Sequence, residues 1–211
     1  MRSEQPILVI GAGGHARACI DVIEAHGVYG IAGLIGLPEE AGTQVLGFPV
    51  LGTDKDIPAL VAKFGTAIVA VGQIKSPDLR INFFTQLEQL GCRLPAIVSP
   101  LAYVSRHAQV GAGTIVMHGA VINAAASAGR NCIINSMALV EHDVVVGDHC
   151  HIATSAAVNS GAHIGAGTFV GSGVTVRQLI RIGERCVIGM GQHVVKNCES
   201  GTWLPRVGVA N

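Results

Sequence analysis

From position 98 to position 194, one kind of residue returns at every sixth place. Val98, Val104, Val110, Val116, Ile122 and their successors through Ile188 and Val194 make a column of Val and Ile broken only by Ala128. Four places after each comes a second column of mostly small residues, from Ala102, Ala108, Thr114, Ala120, Ala126 and Cys132 on to Cys198. A helix repeats its buried face every ~3.6 residues and a strand every ~2, so neither serves both columns. The period predicts a hexapeptide β-solenoid. Val and Ile suit the short strand of each unit. Three units would close a triangular coil in which both columns point inward, each coil adding a rung at roughly 4.8 Å. Sandwich strands do not hold one period over so long a stretch.

The first half is patterned differently. Residues 7–10 read as a short buried strand, followed by Gly11-Ala12-Gly13-Gly14-His15-Ala16 and a helix to about Ala25 carrying Cys19, Ile20, Val22 and Ile23. Gly27 ends that helix. Strands are expected at 31–35 and 67–71, a strand pair or hairpin arm at 45–51, and helices at 54–63 and 77–90. Alternating strands and helices indicate a small parallel α/β, Rossmann-like domain over residues 1–95, with an all-β domain over 96–211. The tail from Asn197 is expected to break register, and it holds the only tryptophan, Trp203.

A strand, a glycine turn and a helix N-terminus together form an anion site, because free backbone N–H groups point outward and glycine lets a phosphate come close. Gly11-x-Gly13-x-x-Ala16 satisfies the relaxed dinucleotide fingerprint. That fingerprint also asks for an acidic residue at the end of the second strand, where this chain has Gly33-Leu34-Ile35-Gly36 and no carboxylate before Glu39. A nicotinamide site therefore lacks its ribose partner. A phosphate-bearing ligand is the leading reading, and a turn without ligand is the alternative.

Charge is scarce and balanced, 13% of residues with a formal net of zero, so nothing suggests an electrostatic grip on nucleic acid or an anionic membrane. No apolar run reaches the ~18–20 residues of a spanning helix, and the first six residues lack a signal-peptide pattern. A soluble cytoplasmic protein is expected. Of the six cysteines, Cys132, Cys150, Cys186 and Cys198 fall in the small inward column. Buried free thiols explain them better than a metal site, for which no CxxC pair exists. Cys19 and Cys92 have no histidine at the spacing a nucleophile needs.

Within the solenoid, Glu141-His142-Asp143 puts three titratable groups between Val140 and Val144 at a corner or loop. A carboxylate beside an imidazole orients the ring and raises its basicity, as a general base requires. His149 and His151 flank inward Cys150 and are expected to point out. His107, His163 and His193 read as ordinary surface residues.

The chain resembles the PglD/NeuD-type sugar acetyltransferases of bacterial surface-glycan and sialic-acid-like sugar biosynthesis. The resemblance rests on Ile10-Gly11-Ala12-Gly13-Gly14-His15, on Val69-Ala70-Val71-Gly72, on Ile134-Asn135-Ser136 with Val140-Glu141-His142-Asp143, and on His151-Ile152. It implies a left-handed parallel β-helix and a homotrimer, with acetyl-CoA as co-substrate in the groove between neighbouring solenoids. It further implies that His142 takes a proton from the acceptor and that Asp143 orients it. Asn135 and His151 match positions near the acetyl-CoA arm, Ser172 and Met190 match cofactor-holding positions, and Gly13, Gly14 and His15 match the loop that receives a nucleotide sugar. Transfer would be direct, with no cysteine as carrier and no metal. Family members often carry Asp residues after the second strand and a Gly-x-Pro-Ala tail. This chain has Ile35-Gly36-Leu37 and Gly208-Val209-Ala210-Asn211 instead. The leading expectation is an N-acetyltransferase of a nucleotide-linked amino-deoxy sugar. An O-acetyltransferase of a sialic- or legionaminic-type sugar is the enzymatic alternative, and a non-catalytic trimeric scaffold or a nicotinamide oxidoreductase would be a different class.

Overall fold

The computed structural model describes residues 5–205, and the tail motif at 208–211 lies outside them. The chain forms two compact units, one built from residues up to Gly72 together with Asp78–Ser99, the other from Gln73–Pro77 and the residues from Pro100 onward.

In the first unit, β1 (Gln5–Ile10), α1 (Gly14–His26), β2 (Tyr29–Ile35), β3 (Gln44–Val45), β4 (Phe48–Gly52), α2 (Ile57–Phe64), β5 (Ala67–Val69) and α3 (Asp78–Gln89) follow in order. They make one sheet ordered β3-β4-β2-β1-β5, parallel throughout except for the β3–β4 hairpin at its edge. Central β1 is buried on both faces, so its Ile-Leu-Val-Ile run is continuous and not alternating. Leu8 and Ile10 join Ile57 and Val61 of α2 and Phe84 and Leu87 of α3 in one core. Positive-φ glycines end α1 at Gly27 and α2 at Gly65, each N–H returning to the helix.

The second unit is the triangular coil that the repeat predicts, and it is the left-handed parallel β-helix of the resemblance. Two-residue strands pair in parallel with those one coil away, for example Leu139 with Val121 and with Ala157. Three faces result. One stacks Tyr103, Val121, Leu139, Ala157, Thr175 and His193. The next stacks Gln109, Ser127, Val145, His163 and Arg181. The third stacks Ile115, Ile133, His151, Phe169, Val187 and Trp203. Residues with positive φ turn the chain between faces, Asp143, Gly161 and Leu179 marking one corner. Both sequence columns are inward. The aliphatic one is buried from Val116 to Val194, while Val98, Val104 and Val110 stay half-buried.

The tail breaks register as expected, yet it adds a rung to the coil. Trp203 pairs with Val187 and Leu204 with Ile188, a step of 203 − 187 = 16 residues in place of the coil's 18. The register changes, but the chain stays on the third face as one more rung, because Cys198 still bridges to Ile182 on the way.

Candidate active site

His142 and Asp143 occupy the corner between the first and second faces. Asp143 has φ +61°, a left-handed conformation that Asp tolerates better than most residues, and this bend lets adjacent side chains meet. His142 Nδ1 lies 2.7 Å from Asp143 Oδ2. A carboxylate only accepts, so Nδ1 carries the proton and Nε2 presents a bare lone pair. Glu141 pins the corner from behind. Its Oε2 accepts from Asn123 Nδ2 at 3.0 Å, one coil earlier, and from the His142 backbone N–H at 3.2 Å. The two side chains are 57% and 65% exposed, and His142 lines neither of the cavities described below.

The third face, across the triangle from that corner, is the opposite in character. Apart from His151 its outward column is apolar, and Ile115 and Ile133 are fully buried. His151 points outward from the coil, as expected, but is only 7% exposed. The segment Gln73–Pro77 covers it. The Gln73 carbonyl accepts the His151 Nδ1 proton at 2.7 Å, and Gln73 Nε2 donates to the His149 and Gly167 carbonyls at 3.0 and 3.3 Å. His151 Nε2 is therefore an acceptor, and Asn135 Nδ2 donates to it at 3.1 Å. Asn135 Oδ1 takes the Ser136 N–H at 2.8 Å, which fixes the amide in this orientation. Phe169 meets the imidazole edge-on, with ring centroids 5.2 Å apart.

Further along this face a cavity of about 310 Å³ opens, lined by Phe169, Val187, Ser172, Met190, Trp203 and Lys75 among others. The structure thus brings Ser172 and Met190 to one cavity, with Asn135 and His151 on the same face. Lys75 is the charged residue of an otherwise mainly apolar lining. A long, mostly apolar arm bearing phosphate groups fits such a lining.

The first unit holds a separate cavity of about 400 Å³ at the C-terminal ends of β1, β2 and β5. Gly13, Gly14 and His15 line it together with Val71, Phe83, Glu40 and Asp54. Gly11 stands at φ +122°, and a Cβ there would meet the Ala70 carbonyl at 3.1 Å, so the turn needs glycine. Arg80, buried on α3, donates to the Val69 and Val71 carbonyls at 2.9 and 2.6 Å and fixes the strand end that walls the cavity. The sequence showed no histidine partner for Cys19, yet its Sγ lies 3.4 Å from His15 Nε2, one helical turn away. That does not make a nucleophile. Burial pushes the Cys19 thiol up to about 12, against a smaller downward pull from Arg80, so the thiol stays protonated.

Of the residues singled out in the sequence, Gly13, Gly14 and His15 line one cavity, Ser172 and Met190 line another, and His142 meets Asp143 at a corner. The sequence did not mark Glu40, Asp54, Lys75, Gln73 and Trp203 as lining or covering groups. One signal was available: the outward position of the third face is apolar in nearly every coil, which marks a covered or ligand-bearing face. Among the described residues no group of His, Cys, Asp and Glu could hold a metal ion, and no helix is long and apolar enough to cross a membrane.

Residues 6–87 match the family model of the PglD N-terminal domain. The acetyltransferase domain of PglB from Neisseria gonorrhoeae FA1090 is 30% identical, with a TM-score of 0.87 over 95% of this chain and 96% of its own. That domain is also known in complex with acetyl coenzyme A. A histidine-to-alanine mutant of GDP-perosamine N-acetyl transferase from Caulobacter crescentus, in complex with CoA and GDP-perosamine, is 30% identical. Its TM-score is 0.88 over 94% of this chain and 92% of its own. WeeI from Acinetobacter baumannii AYE shares the fold at 22% identity and a TM-score of 0.84, covering 94% of this chain and 95% of its own. No curated protein matches the chain.

Proposed function

Since the chain belongs to the PglD/NeuD-type sugar acetyltransferases, we propose that it moves the acetyl group of acetyl-CoA onto the amino group of a nucleotide-linked amino-deoxy sugar in bacterial surface-glycan biosynthesis. The observation that carries this reading is the His142–Asp143 corner, an exposed imidazole whose bare Nε2 is set by a 2.7 Å bond to a carboxylate. The PglB domain that binds acetyl coenzyme A and the N-acetyl transferase that binds CoA and GDP-perosamine support the two substrates.

His142 Nε2 takes a proton from the neutral sugar amine as its nitrogen attacks the thioester carbonyl. A new C–N bond forms and the C–S bond breaks. The leaving thiolate collects the proton from His142, which resets the base. Asp143 stays ionised throughout and stabilises the imidazolium while it exists. No acyl-cysteine is needed. The acetyl-CoA arm occupies the cavity of Ser172, Met190 and Lys75, with Asn135 and His151 toward its acetyl end. Gly13, Gly14 and His15 receive the sugar nucleotide.

The corner and the third face lie on opposite sides of one triangular coil, so a single solenoid cannot close both around one thioester. A homotrimer removes the difficulty, because the corner of one copy meets the third face of the next. Light scattering should give three times the 21.7 kDa chain mass.

The activity is tested by offering acetyl-CoA with UDP- and GDP-linked amino sugars and with free nonulosonic acids, and following released thiol. Transfer to a nucleotide-linked amine is expected. Transfer to free nonulosonic acid alone would replace this reading with O-acetylation. Failure to bind acetyl-CoA would leave a scaffold.

A further inference from the structure

Glu40 stands five residues beyond the end of β2 at Ile35, yet its carboxylate folds back over that strand end. Oε2 accepts the Leu37 N–H at 2.8 Å. A Cβ built on Gly36 would fall 2.8 Å from the same oxygen and 3.1 Å from the Ala12 Cβ, so the carboxylate stands over a glycine beside the turn at 11–14. A nucleotide-binding α/β fold keeps its ribose-binding acid at that place, usually supplied from the strand end itself. Here the strand end has none and a later residue fills the same space.

The cavity has two chemically distinct ends. At α1 the N-cap is Gly13 without a side-chain cap, and the first turn carries no acid, which leaves backbone donors for an anion. Across the cavity Glu40, half-buried, offers only acceptors. A ligand spanning both must carry phosphate at one end and adjacent O–H or N–H donors next to it. In a nucleotide the group next to the phosphates is the ribose, whose vicinal hydroxyls are two such donors.

Resting on the reading of this cavity as the sugar-nucleotide site, we propose that Glu40 binds the ribose 2′- and 3′-hydroxyls of the acceptor and makes the enzyme specific for ribonucleotide-linked over 2′-deoxyribonucleotide-linked sugars. Removing the 2′-hydroxyl leaves a half-buried carboxylate short of a partner, and a site built around a hydroxyl rejects the analogue lacking it.

Calorimetry on the full chain with UDP against 2′-deoxy-UDP, and GDP against 2′-deoxy-GDP, isolates this one group whatever the base. Each deoxy form should bind about 10- to 100-fold more weakly, the worth of one hydrogen bond to a charged group. In Glu40→Gln, whose amide oxygen still accepts from Leu37 N–H, the ratio should fall to within about threefold while the melting temperature holds. Equal binding of ribo and deoxy forms by the unmodified chain overturns the inference and leaves the sugar-nucleotide reading standing. So does a ratio that survives Glu40→Gln and collapses in Asp54→Asn, which would move the role to Asp54. No binding of any of the four overturns both.

Discussion

The His142 corner and the His151 face sit half a coil apart, and both imidazoles carry their proton on Nδ1. At the corner the proton goes to an exposed carboxylate, and the other nitrogen faces open space. On the face the proton goes to a buried backbone carbonyl, and the other nitrogen is already occupied by Asn135. The same tautomer therefore leaves an open acceptor at the proposed base and makes a strut in the other place. What separates them is the second partner and the covering segment, neither of which is local in sequence.

The contrast breaks most visibly if the wrong histidine matters for rate. His142→Ala should lower kcat by about 10²- to 10⁴-fold, the usual worth of a positioned base, with the melting temperature and acetyl-CoA affinity close to those of the unmodified protein. Steady-state thiol release together with calorimetry checks it. His151→Ala should act first on stability, by roughly 1–3 kcal/mol, because it strands the Gln73 carbonyl and the Asn135 amide in a buried place. Thermal melts should shift down by several degrees. A His151 variant of normal stability would mean that the covering segment does not depend on it.

Asp143→Asn sharpens the corner. The ring loses its ionic partner in solvent-exposed surroundings, so a fall in kcat of about tenfold is expected, well short of the His142 effect. Smaller still is an optical signal. Trp203 is the only tryptophan, lines the cavity proposed for the cofactor and is 55% exposed, so titration with acetyl-CoA should change its fluorescence saturably and Ser172→Trp should abolish that change. Last, Cys19, Cys92 and Cys150 have thiols pushed up by burial, the first two to about 12 and about 11. Near neutral pH they stay protonated, and a disulfide reagent should label them only after denaturant is added.

The solenoid was legible because its period is enforced by packing. Every inward residue repeats its neighbour one coil away, so Ile152 predicts Val170 without reference to the rest of the chain. The glycine turn and the His142–Asp143 pair were legible for a related reason, since each is contiguous in sequence and its chemistry is complete within a few residues. Gln73, Lys75, Glu40 and Trp203 were not. Each reaches its place through a segment that returns from elsewhere: the strap between β5 and α3, the loop after β2, and a tail that drops two residues to re-enter the third face. Spacing alone carries no record of such returns. The burial of outward-pointing His151 was not legible for the same cause, because the alternation of inward and outward positions is blind to what covers an outward side chain.

If the corner of one copy and the third face of another make one site, two inactive variants must rescue each other. His142→Ala and Ser172→Trp, the second filling the cavity proposed for the cofactor, are each purified, mixed under conditions that exchange subunits, and assayed for acetyl transfer. Recovered activity in the mixed trimers, absent from either parent, is the predicted result. Mixed trimers that form and remain inactive would contradict the pairing of these two surfaces in catalysis.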